Sequence, residues 1–176
     1  MNILRSLKFA VKGIVYAIKN ERNMRIHTVA TIYVLLFSMF FSMSLTKYVI
    51  LILIIGLVMM AEMFNSSIEN LIDLCSKDYN STAKAAKDIA AGGVLIMCVG
   101  AFISGIFLFS EVNAYIRMWV FFSSYPIYLI LLVFFSFLSY LYIFLGPVEL
   151  KNRIKTIIGK VKKEKLKISS NKNIFK

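Results

Sequence analysis

Acidic residues are scarce in this chain: nine Asp and Glu stand against 21 Lys and Arg, a net charge of +12 over 176 residues. Histidine occurs once and cysteine twice. A lone His27 excludes a His-based metal cage, and two cysteines in dissimilar settings exclude a disulfide framework. Cys98 lies inside an apolar run and Cys75 just beyond another, so both read as small apolar fillers. No Gly-rich Walker loop is present, which excludes P-loop nucleotide chemistry. The basic residues come without an aromatic or structural recognition element, so nucleic acid is not an expected partner.

What is abundant is apolar surface. The chain is 59% hydrophobic, with 15 Phe and 9 Tyr, and its mean hydropathy is +0.75. A domain of this size leaves much of its surface exposed and could not hide that composition in water. Its solvent is a bilayer. Four apolar segments, near 28–45, 48–64, 89–109 and 118–145, approach the roughly 20 residues that cross a hydrocarbon core. In lipid they must be helices, because each backbone polar group needs a partner within its own segment.

Charge asymmetry supports the four-span reading. Six Lys and Arg precede the first segment, three lie between the second and third, and ten follow Gly146. The two short connections hold one each, Lys47 and Arg117. The positive-inside rule then makes both termini of this multi-pass cell-membrane protein cytoplasmic. Residues 1–27, basic and polar, do not read as a secretory signal peptide. Leu4, Leu7, Val11, Ile14 and Ile18 step by 3 or 4, the stripe of a helix lying in the headgroup plane. Residues 151–176 read as a solvated, partly disordered basic tail that touches anionic lipid.

The chemistry is concentrated on the basic side. At 100° per residue, Glu62, Asn65, Glu69 and Asp73 project within about 80° of one another on one helix face. Like charges four apart weaken a helix, so something positive must offset Glu69 and Asp73. Glu62 follows a run of apolar residues, where ionisation is costly, and a carboxyl so placed suits proton exchange near neutral pH. A second cluster runs from Ala83 to Gly93. There Ser81 or Thr82 could cap a helix, Lys84 and Asp88 are spaced to pair, and Lys87 is free to meet an anion. Its small residues, Gly92 and Gly93 among them, permit close approach of another helix or a ligand. A third piece, Asn20-Glu21-Arg22-Asn23-Met24-Arg25-Ile26-His27, puts a carboxylate at the depth of Glu69. Two carboxylates from different helices, completed by phosphate oxygens, suit Mg²⁺.

These three blocks together resemble the small prokaryotic integral-membrane diacylglycerol and undecaprenol kinases over roughly residues 5–110. The resemblance rests on Asn20-Glu21 with Arg25, on Glu62, Asn65, Glu69 and Asp73 at their spacing, and on Ala83-Lys84-Ala-Ala-Lys87-Asp88 with Gly92. The wording Glu21-Arg22-Asn23 through Ile26-His27 looks more like the branch acting on the polyprenol carrier. The resemblance implies an all-α integral membrane protein: an N-terminal amphipathic surface helix (1–27), three family-like transmembrane helices (28–110), and beyond the family pattern an extra transmembrane helix (111–150) and the basic tail (151–176).

It also implies roles. Glu62 would be the general base toward the lipid hydroxyl, and Glu21 and Glu69 would hold Mg²⁺ on ATP. Asn65 would support the phosphoryl group and Lys87 would meet the phosphates, while Asp78, Tyr79, Asn80 and Asp88 would border the nucleotide. Phe9 and Asn2 stand where some relatives carry polar nucleotide contacts. A homotrimer with sites built between subunits is implied. The expected reaction is ATP- and Mg-dependent phosphorylation of undecaprenol, with diacylglycerol kinase or a non-enzymatic membrane scaffold as the alternatives.

Overall fold

The computed structural model describes residues 3–75 and 78–174, Asn2 lying outside them. Among the described residues the regular structure is helical: α1 (Ile3–Asn20), α2 (Arg22–Ser38), α3 (Leu45–Cys75), α4 (Ser81–Leu108), α5 (Val112–Ser124) and α6 (Pro126–Ile174). This is the expected all-α membrane architecture, with a surface helix at its N-terminus. The apolar stripe of α1 is left exposed at Leu4, Leu7, Val11 and Ile14, as a helix facing lipid requires.

Among the described residues three helices are long and apolar enough to cross a membrane, Leu45–Cys75, Ser81–Leu108 and Pro126–Pro147, where four spans were expected. The first expected segment, 28–45, is shorter than anticipated. α2 has 17 residues and rises about 25 Å. It stops at Ser38, where Phe40 N–H and Phe41 N–H bond three residues back to Phe37 and Ser38 carbonyls and turn the chain toward α3. The last expected segment, 118–145, is divided. Tyr125 leaves helical geometry at φ −130°, ψ 72°, because the residue before Pro126 is pushed out of the α region. α5 therefore covers most of the expected short connection 110–117 and the first residues of the expected fourth segment.

The 31 residues of α3 rise about 46 Å, more than a hydrocarbon core needs, so its C-terminal turns emerge from lipid. It is also the central helix. Some 28% of its most apolar stretch is buried within the chain, against 6% for α4 and for the span of α6. α4 begins at Asn80, whose side chain accepts from Thr82 N–H at 2.9 Å and Ala83 N–H at 3.2 Å. The cap thus precedes both Ser81 and Thr82, and Asn80 gives its oxygen to the helix. Gly92 and Gly93 have open space where a Cβ would stand, so no other part of the chain closes on them. Lys84 and Asp88 form no ion pair. Cys75 is exposed rather than a buried filler, whereas Cys98 is partly covered.

α6 breaks at Gly146, the one positive-φ residue among those described, at φ 69° and ψ 162°. Glycine takes the left-handed turn without steric penalty and Pro147 starts the next helical segment. The backbone beyond is helical to Ile174, where a partly disordered tail was expected. α6 lies against α2. Tyr33 Oη is 3.2 Å from Ser136 Oγ and 3.3 Å from Ser139 Oγ, and Arg22 sits over the Phe144 ring at 5.6 Å.

Arg25 joins three helices at one point. It is 7% exposed, and its Nε donates to Ile143 O and its Nη1 to Lys19 O, both at 3.0 Å. These carbonyls belong to the last turns of α6's first segment and of α1, where helix dipoles favour a cation. At the opposite end, Arg117 donates to Phe40 O and to Glu111 Oε1 at 2.7 Å each, and Glu111 Oε2 takes Ser42 N–H at 2.8 Å. Phe41 closes that end, edge-on to Phe109 and Tyr115.

Candidate functional site

The turn between α1 and α2 positions the first acid. Asn20 folds back to Tyr16 O, and Glu21 leaves helical geometry at φ −97°, ψ 124° as the N-cap residue of α2. Its carboxylate does not cap the helix. It points to α3, where Asn70 Nδ2 lies 3.5 Å from Glu21 Oε1 while holding Ser66 O at 2.7 Å.

On α3 the predicted stripe is realised as a gradient from buried to wet. Glu62 is 2% exposed, Asn65 and Ser66 are buried, Glu69 is half-buried and Asp73 is exposed. Asn65 Nδ2 donates to Glu69 Oε1 at 2.9 Å, one helical turn along. Glu62 and Glu69 share this face of α3, and Glu21 meets the same helix through Asn70, the residue after Glu69. Glu21, Glu62 and Glu69 thus stand along one stretch of α3 within a single chain.

Two buried acceptors here have no hydrogen-bond partner, Glu62 Oε2 and Asn65 Oδ1. Buried polar atoms are nearly always satisfied in folded proteins, so two orphans on adjacent turns mark a place for a donor or a cation. A cavity of about 290 Å³ lies between α1 and α3, lined by Tyr16, Glu21, Ser66, Ser67 and Asn70 among others, on the face of α3 that carries Asn70 rather than Glu62. The oxygen-rich donor set suits a hard cation sharing its shell with phosphate and water. Among the described residues no three His, Cys, Asp or Glu are gathered so as to hold a metal alone.

The remaining predicted residues lie apart from this group or are otherwise engaged. Lys87 of α4 is ion-paired with Asp73 of α3, and so is not the free cation expected from spacing. That pair supplies the positive charge the Glu69–Asp73 spacing demanded. Tyr79 and Asp88 are exposed, as is Asp78, and Phe9 stands on the exposed part of α1 beside Arg5 and Lys12.

Sequence reasoning missed two residues. His27 Nε2 lies 4.0 Å from Glu62 Oε2, and its single occurrence had spoken only against a metal cage. Asn70 stands off the acid stripe, about 80° round the helix from Glu62 at 100° per residue, and meets Glu21 because α1 turns there. Helical phase relates residues of one helix and says nothing of which neighbour faces them.

The family model for prokaryotic diacylglycerol kinase matches residues 8–109. A diacylglycerol kinase of Synechocystis is 36% identical over 105 residues, which is 59% of this chain and 60% of that enzyme's length. The undecaprenol kinase of Bacillus subtilis is 34% identical over 105 residues, 60% of this chain and 85% of that enzyme. The diacylglycerol kinase of Escherichia coli K12 is 29% identical over 102 residues, 58% and 84% of the two chains. The matched stretch holds most of α1, all of α2 to α4, and Glu21, Glu62 and Glu69, and α5 and α6 lie beyond it. By that match and by the helices and acids it covers, the chain belongs to the prokaryotic diacylglycerol kinase family of membrane lipid kinases.

Proposed function

We propose that this protein transfers the γ-phosphate of ATP to the hydroxyl of undecaprenol at the cytoplasmic edge of the cell membrane. The observation that carries the reading is the Glu62 carboxyl, buried with Oε2 unpartnered at the rim of the polar layer. The hydroxyl proton passes to Glu62 as the alcohol oxygen bonds to the γ-phosphorus. The bond from that phosphorus to the β–γ bridging oxygen breaks, and its electron pair leaves with ADP.

Glu21 and Glu69 are the residues to hold Mg²⁺, whose charge, when bound, neutralises the phosphate oxygens. Asn70 and Asn65 keep those two carboxylates in place, and Asn65 Oδ1 faces the same layer. Asp78, Tyr79 and Asp88, exposed beyond α3, are proposed to border the nucleotide, with Asn80 holding their helix start. Catalysis of this kind is positioning and charge neutralisation more than covalent work.

Several observations support the finer parts of the reading. The motif wording around Glu21 and His27, and the relative named undecaprenol kinase, favour a polyprenol over a diacylglycerol. Nineteen of the 21 basic residues lie on the side of the acids and the tail, which favours cytoplasmic termini and contact with anionic lipid. The uncovered face of α4 around Gly92 and Gly93 suits a homotrimer. Presenting the purified protein with undecaprenol, diacylglycerol and radiolabelled ATP tests the assignment. Phosphorylated undecaprenol is the expected product. Transfer to diacylglycerol alone would reassign the substrate. No lipid-dependent transfer, with the Glu62→Gln and Glu69→Gln variants indistinguishable from wild type, would leave a scaffold.

A further inference from the structure

An apolar groove of about 210 Å³ runs between α2, α3 and α4, lined by Thr31, Val34, Ile55, Val58 and Gly105 among others. At the end nearest the acids its wall is His27, the only polar ring in the chain capable of donating from nitrogen other than Trp119. His27 is thus shared by two environments. Its ring lines the apolar groove, and its Nε2 lies 4.0 Å from the unpartnered Glu62 Oε2.

That separation is too long for a direct hydrogen bond, yet it has a specific use. Two hydrogen bonds of about 2.8 Å meeting at one oxygen atom span 4.0 Å when the angle between them is about 90°. A hydroxyl oxygen can therefore sit between the two residues, donating its proton to Glu62 Oε2 and accepting from His27 Nε2–H. A charged anion would be repelled by Glu62, and a water molecule there would leave the apolar groove unfilled. A long-chain lipid alcohol suits both: its chain matches the apolar groove that His27 lines, and its single hydroxyl matches the His27–Glu62 separation.

We infer that His27 is a second ligand of the substrate hydroxyl, orienting the attacking oxygen against Glu62 while the adjoining groove receives the start of the lipid chain. The inference rests on the kinase reading and adds a residue to it. In the tautomer it requires, Nε2 carries the hydrogen, and the ring acts as a fixed donor.

The test uses the full-length protein in detergent micelles with undecaprenol and Mg-ATP, comparing His27→Gln and His27→Leu. Gln returns an N–H donor near the position of Nε2, whereas Leu keeps bulk and loses the donor. His27→Leu is expected to lower kcat for lipid phosphorylation by about tenfold or more with the KM for ATP unchanged, and His27→Gln to recover most of that loss. Thermal unfolding of both variants separates a folding failure from a chemical one, and His27→Gln remains informative if His27→Leu does not fold. Unaltered kcat in a folded His27→Leu, or equal loss in both variants, overturns the inference. Absence of lipid phosphorylation in the wild-type protein overturns instead the kinase reading beneath it.

Discussion

The Arg25 guanidinium stands 3.3 Å from the point a Cβ on Gly146 would occupy, and it bonds Ile143 O three residues earlier. A residue of the family-matched region thereby closes the C-terminal turn of a helix that lies outside it. The same guanidinium holds Lys19 O, two residues before Glu21, so the acid-bearing turn and the added helix share one tie.

Gly146→Ala is expected to destabilise the protein by about 1–3 kcal/mol, because a left-handed φ of 69° and a tight contact with a tethered guanidinium act together. Arg25→Ala removes a buried guanidinium and leaves two part-buried carbonyls uncapped, and is expected to cost about 1–3 kcal/mol. It also loosens the turn that carries Glu21, raising the Mg²⁺ concentration needed for half-maximal activity. Unfolding in detergent and Mg²⁺ titration of activity check both. An unchanged Mg²⁺ requirement in a folded Arg25 variant would separate the tie from the site.

Glu62→Gln keeps the shape of a buried side chain and removes its capacity to take a proton. The expected result is a fall in kcat of about 10²–10⁴-fold without loss of stability, since a buried carboxyl with an orphan oxygen is no asset to folding. Glu69→Gln should instead show its main effect on Mg²⁺ dependence. Steady-state kinetics at several Mg²⁺ concentrations distinguish the two patterns, and equal patterns would merge the roles.

Lys87 is tied to an exposed Asp73, a pair worth about 0–1 kcal/mol to stability. If Lys87 swings to the nucleotide, Lys87→Met raises the KM for ATP, while Asp73→Asn releases the lysine and leaves that KM equal or lower. A parallel rise in both variants would assign the pair a structural role only.

Glu111 lies outside the acid group, and the Arg117 guanidinium, aided by the Ser42 N–H, holds its carboxyl below the usual glutamate value of 4.5. A depressed value in the folded state means the carboxylate contributes stability above the ordinary value. That contribution disappears as pH falls through the lowered one. Unfolding followed from pH 7 downward should show a loss of stability beginning below about pH 4.5 that is reduced in Glu111→Gln. Identical acid profiles for the two proteins would remove Glu111 from the account.

Composition and periodicity determined a good deal by themselves. An apolar fraction of 59% and long uncharged runs require helices in lipid, since no other backbone satisfies its polar groups there. The phase of an α-helix put Glu62, Asn65 and Glu69 on one face, and the burial gradient along α3 follows it. Segment ends were less legible. Whether 28–45 or 118–145 stays continuous depends on a few backbone torsions, at the turn after Ser38 and at Tyr125 before Pro126, and hydropathy does not register them.

Only tertiary structure decided the partners across helices. His27 beside Glu62, Asn70 beside Glu21, Lys87 on Asp73 and Arg25 under Gly146 each join residues of different helices. Helical phase sets directions within one rod, while the rotation and height of one rod against another come from packing. Contacts of that kind were therefore out of reach until the helices were seen in place.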